Sequence, residues 1–150
     1  MNYKMLRIAL GTLAWFLSSL ATAEITDLRV EDPRNLPTNV YAFGCPVTSD
    51  QLEAVLNARL ERRGVNAIKP RDYNFGYSAG AICRKQGADG HIFIIQLMFL
   101  KTIEGDVRVA FAEQGYQVNA GVGGADELLE AFAGSLRYSL HDYFRQNIWD

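Results

Sequence analysis

The groups with chemical reach in this 150-residue chain are the side chains of two histidines, two cysteines and a cluster of arginines, and the backbone of a glycine run. His91 and His141 carry the imidazoles that titrate near neutral pH and could act as general bases. Neither has a partner motif. No serine sits in a Gly-x-Ser-x-Gly elbow, and Ser135 and Ser139 share one helical segment with His141, which does not make a triad. His141 and Asp142 are adjacent and point apart on a helix, while Asp89 and His91 supply two metal ligands where a site needs more. Both histidines are read as strand-end or surface residues. The run Gly121–Gly124 precedes a helix N-terminus, where phosphate can bind, but no Lys-Ser/Thr follows and Asp126 and Glu127 would repel an anion. It is read as a strand-to-helix connection, so no cofactor and no metal are expected.

Cys45 and Cys83 are the only cysteines. They form no Cys-x-x-Cys pair and, with the histidines, no zinc spacing. An even pair in an exported chain is read as one disulfide closing a loop of about 40 residues, worth about 3–4 kcal/mol by chain entropy.

Two surface features could recognise a partner. Arg59, Arg62, Arg63, Lys69 and Arg71 cluster at the end of the first helix. The helix dipole explains cations there, and the same cluster could meet an acidic partner or an anionic envelope polymer. Tyr73, Phe75 and Tyr77 lie in and after a turn-rich loop, as interface anchors or as rings folded back on the core. Trp149, near the end of the chain, is either tucked on the sheet or offered to a partner. The partner-binding candidates are therefore Tyr73, Phe75, Tyr77, Arg62, Arg63, Arg71 and Trp149.

The elements that must position these groups follow from periodicity. Val40–Phe43 reads as a strand. Thr48 and Gln51 make a capping box for a helix whose Leu52, Val55, Leu56 and Leu60 share a face, and which Gly64 ends. Val65–Lys69 alternates until Pro70. Tyr77–Arg84 sets Tyr77, Ala79, Ala81 and Cys83 against Ile82, and Gly80 marks a bulge or a close backbone approach. His91–Lys101 is apolar on both faces, which predicts a central strand covered on both sides or an edge of an assembly. Val107–Ala112 and Tyr116–Asn119 complete an antiparallel meander. Ala125 to about Ile148 reads as one long helix with Leu129, Phe132, Leu136, Leu140, Tyr143 and Phe144 along a stripe. The expected architecture is α+β: a mostly antiparallel sheet of about five strands with two amphipathic helices packed on one face.

Residues 1–23 have the three parts of a secretory signal: Lys4 and Arg7, an apolar stretch from Ile8 to Leu20, and Ala21-Thr22-Ala23. Cleavage after Ala23 leaves a single domain, 24–150, of 127 residues. The leader holds two of the 15 basic residues and none of the 17 acidic ones, so the net charge moves from −2 to −4. That balance gives no electrostatic case for nucleic-acid binding, and no later apolar run spans a membrane. The expected function is a non-catalytic periplasmic or secreted binding or assembly module, acting by protein–protein contact in the cell envelope. A homodimer through the sheet or its apolar face is compatible with that reading. The alternatives are a carrier with an apolar cavity lined by Phe93, Phe99, Phe111 and Phe132, and a hydrolase using His91 or His141.

Overall fold

The computed structural model describes residues 28–70, 75–88, 90–103, 106–110 and 117–149. The elements run β1 (Asn35–Phe43), α1 (Ser49–Glu61), β2 (Asn66–Ile68), β3 (Phe75–Gln86), β4 (Gly90–Ile103), β5 (Asp106–Ala110), β6 (Gln117–Gly123), α2 (Ala125–Ser139) and α3 (His141–Asn147). The fold class is α+β, as expected. The leader, Arg71, Tyr73 and Phe111 lie outside the described residues.

The sheet is mixed, which corrects the mostly antiparallel expectation. Its order is β2-β1-β3-β4-β5, and β6 continues along the β4 edge that β5 begins. β3, β5 and β6 all pair antiparallel with β4, but β6 returns to β4 instead of pairing with β5, so the three runs expected as a meander do not form one. β1 runs parallel to both of its neighbours. The physical reason is α1, whose crossover returns the chain to start β2 in the same direction as β1. β2 pairs only with Asn35–Pro37 of β1, and β3 only with Thr38–Phe43. The chain thus changes edges of β1 while still advancing along it, and six residues suffice between β2 and β3.

Local signals hold where the interaction is local. Thr48 accepts from the Gln51 N–H, and the Gln51 side chain accepts from the Thr48 N–H, closing the capping box of α1. Gly64 ends the helix at φ +67°, a left-handed conformation suited to glycine. The Arg34 guanidinium donates to the carbonyls of Arg63 and Gly64 just beyond that helix end.

Two expectations at the C-terminal side are corrected. The glycine run is not a separate linker, since Gly121 and Gly123 belong to β6. A Cβ on Gly121 would stand 2.5 Å from the Phe93 ring, so the ring packs directly on backbone. The last helix is two helices broken at Leu140. No Gly or Pro marks the break. It lets α3 bury Tyr143 and Phe144 and hold the segment leading into β1. The Leu28 N–H donates to Gln146 at 2.7 Å, Asn147 donates to the Leu28 carbonyl at 2.9 Å, and the Tyr143 hydroxyl donates to the Pro33 carbonyl at 2.9 Å. On α2 the buried stripe is Leu128, Phe132, Ser135, Leu136 and Ser139, while Leu129 is half-buried.

One core joins the elements. Tyr77, Ala79 and Ala81 of β3 and Phe93, Ile95, Leu97 and Phe99 of β4 are buried together with Leu52, Leu56 and Leu60 of α1 and Leu128, Phe132 and Leu136 of α2. The expected Cys45–Cys83 disulfide is present and ties the end of β1 to β3. No helix among the described residues is long and apolar enough to cross a membrane.

Candidate functional site

The aromatic candidates divide by burial. Tyr77 is 1% exposed and donates its hydroxyl to Ser139 at 2.8 Å, so it is a core residue and offers nothing to a partner. Phe75 is half-buried and stacked, 5.5 Å from the Phe99 centroid and 6.2 Å from that of Tyr143. It folds back on the core rather than projecting as an anchor. Phe93, Phe99 and Phe132, expected to line a ligand cavity, are packed into the core at 3% exposure or less.

Burial pushes the Tyr77 phenol far above its usual range, and the Tyr143 phenol likewise, with the charge of Asp32 adding to the latter. The stability these neutral phenols confer is fully present below their unfolded-state pKa of about 10. It is lost as pH rises above that value, because the unfolded chain can release protons that the folded one retains. The urea midpoint should therefore fall steeply above pH about 10, and Tyr77→Phe should flatten that fall.

The histidines stand apart from one another. His91 is half-buried on β4 with a buried Nδ1 that has no hydrogen-bond partner. His141 is exposed at the start of α3, edge-on to Trp149 at 5.3 Å.

Trp149 is exposed but packs against its neighbours. Its ring lies 4.9 Å from the Arg63 guanidinium carbon, a cation–π contact, and 6.3 Å from the Phe144 ring. Arg63 also sits 6.0 Å from the Phe144 ring, so this arginine is engaged at the α3 end. Arg62 points elsewhere. It lines a groove of about 650 Å³ between α1 and α2 together with Arg59, Arg137 and Glu130. Burial lowers the Arg59 pKa from its ordinary value, and the charges of Arg63, Arg137 and Arg62 lower it further; the guanidinium remains protonated. Arg137 and Glu130 escaped the sequence reading because α2 is remote in the chain from the basic cluster, and only tertiary packing sets them beside it.

The second exposed feature is the sheet face opposite the core. Side chains alternate across a strand, so the residues between the buried ones of β3 and β4 share that face. Register places Phe43, Ile82, Ile94 and Ala120 in one row across four strands. Ile92 and Val122 pair in the next row, and Tyr41, Gly80, Gln96 and Val118 form the row on the other side. Phe43, Ile82, Ile92, Ile94, Val118 and Val122 are 40–65% exposed. Tyr41 lies flat within this face: a Cβ on Gly80 would meet its ring at 2.5 Å, its hydroxyl donates to Gln96 at 3.0 Å, and it stacks on Phe43 at 5.3 Å. The close approach anticipated at Gly80 is therefore made by Tyr41. Of the two expectations for β4, covered on both faces or an edge of an assembly, the first is not met within this chain, where Ile92 and Ile94 are exposed. Of this face, the sequence showed the β4 pattern and the outward position of Ile82; Phe43 and Val122 needed the register.

No family model matches the chain, and no curated protein matches it. A solved structure, that of a minor lipoprotein from Acinetobacter baumannii, resembles it with a TM-score of 0.30 and 14% identity, covering 75% of this chain and 87% of that one. At that likeness it carries no argument about this protein.

Proposed function

We propose that this protein is a non-catalytic binding or assembly module of the cell envelope, exported by cleavage near Ala23 and acting by protein–protein contact. The observation that carries this reading is the exposed apolar face formed by Phe43, Ile82, Ile92, Ile94, Val118 and Val122. Contiguous apolar patches on soluble domains mark interaction sites, and the face carries the exposed ring of Phe43, an aromatic of the kind enriched at interfaces. The reading takes the helices to pack on the other face of the sheet, as the core shared by β3, β4, α1 and α2 supports. The disulfide fits the periplasm or the exterior, where thiols oxidise.

The test is crosslinking in the native envelope with wild type and with Ile94→Lys. Ile94 is 40% exposed, so its replacement should cost about 1 kcal/mol and leave the protein folded. The wild type should give a discrete crosslinked product, to another envelope protein or to a second copy, that Ile94→Lys loses. An identical crosslink profile in a folded Ile94→Lys protein would overturn the reading.

A further inference from the structure

The side of the molecule bearing the helices holds a separate feature that partner binding through the sheet does not use. Arg59 and Arg62 from α1 and its C-cap, and Arg137 from α2, converge on one groove of about 650 Å³. Among the described residues none of the three is paired with a carboxylate within 4.0 Å. The Arg59 Nε is buried without a hydrogen-bond partner. This concentration of positive charge belongs to a chain whose net charge is −2, so it is a local arrangement and not a general property of the surface. Arg59 and Arg137 each sit in the last turn of their helix, where the dipole offsets part of their mutual repulsion. The dipole accounts for the tolerance of the cluster. It leaves the buried Arg59 Nε without a partner.

We infer that this groove binds a phosphate group, either free or carried on a lipid headgroup. A carboxylate is planar and one guanidinium fork satisfies it. A phosphate presents three oxygens and nearly two negative charges and is matched by several guanidiniums together. The walls between the arginines are apolar, formed by Val55, Ala58, Ala133 and Leu136, and leave room for the group that carries the phosphate. Gly134 supports the same reading independently. It lies mid-helix, where glycine is destabilising by about 1 kcal/mol relative to alanine. A Cβ there would meet nothing within 4 Å, so no neighbour requires a glycine. Its effect is to deepen the groove that it lines. Glu130 on the same wall is the one carboxylate lining the groove, and it opposes an anion.

The exported chain with its disulfide intact is titrated with pyrophosphate, and amide resonances of α1 and α2 are followed. Saturable shifts confined to these helices are expected, weakened by salt. Arg137→Gln should weaken binding about tenfold, in keeping with loss of one charge-assisted contact. Glu130→Gln should tighten it, a gain that no folding defect can imitate. Arg145→Gln, which removes an arginine paired with Asp142 at 3.2 Å outside the groove, should leave it unchanged. Vesicles of phosphatidylcholine with and without phosphatidic acid separate the two sources. Sedimentation with phosphatidic acid that depends on Arg137 and is reversed by pyrophosphate assigns a headgroup, and response to soluble pyrophosphate alone assigns a free phosphate. The inference is overturned if pyrophosphate gives no saturable shift, if Arg145→Gln weakens binding as much as Arg137→Gln, or if polyglutamate competes as well as pyrophosphate. None of these outcomes bears on the sheet face, which Ile94→Lys tests alone.

Discussion

Phe99→Ala is expected to lower the free energy of unfolding by about 3–5 kcal/mol, the range for deleting a buried aromatic ring. Phe99 is fully buried. Its ring lies 4.7 Å from Tyr77 and 5.5 Å from both Phe75 and Tyr143. These neighbours come from β3 and α3, so one ring joins the central hairpin to the C-terminal helix. The consequence should extend past the cavity. Tyr143 donates to the Pro33 carbonyl, and Gln146 and Asn147 hold Leu28 and Val30. Loosening α3 therefore loosens the segment that leads into β1. Urea denaturation should show the midpoint shift, and hydrogen exchange should show faster opening of residues 28–33 than of α1. Ile94→Ala is the internal comparison on the same strand. Ile94 points to the exposed face, and its truncation should cost about 1 kcal/mol, well below the Phe99 loss. A loss below about 1.5 kcal/mol at Phe99 would fall under the range for buried aromatic truncation and show that the site collapses around the missing ring.

That contrast also marks how far the sequence could be read. The alternation of His91–Lys101 divides Phe93, Ile95, Leu97 and Phe99 from Ile92, Ile94, Met98 and Leu100 correctly, because alternation is intrinsic to a strand. It cannot tell which face is covered, since both are apolar, and covering is decided by where the helices dock. The α1 capping box was legible because its two hydrogen bonds span three residues. The parallel pairing of β1 was not, since nothing within Asn35–Phe43 encodes which strands lie beside it. The break at Leu140 has no local signal and follows from what Tyr143, Gln146 and Asn147 must reach. The same limit governed the sites. Arg62 was visible as part of a basic cluster, but its groove became apparent only when α2 brought Arg137 and Gly134 against it. Tyr77 was placed on the Ala79 face by alternation, and its burial depended on Ser139 waiting across the core.

Replacing Cys45 and Cys83 together by serine is expected to cost about 4 kcal/mol of stability, the chain-entropy value for a loop of their size, which here spans 38 positions. The bond closes the segment containing α1, β2 and most of β3, and anchors it just beyond the end of β1. That segment has the longer connections, whereas β3 and β4 meet through a short turn. Untying the bond should therefore weaken β1 and α1 before the β3–β4 hairpin. Gly44 prepares the geometry. It has φ +65°, and a Cβ there would stand 2.8 Å from the Cys83 carbonyl oxygen, so the chain turns tightly over β3 and delivers Cys45 to Cys83. Gly44→Ala should consequently impair both the turn and bond formation. Denaturation with and without reductant measures the effect in the unaltered chain, and a mass gain of two hydrogens on reduction confirms the bond. A change under about 1 kcal/mol would mean that the reduced, unfolded chain is already constrained across this loop. Native domains have about 5–15 kcal/mol in total, so a loss of about 4 kcal/mol would remove between about a quarter and most of it. Complete folding of β1 and α1 would then depend on the bond being formed.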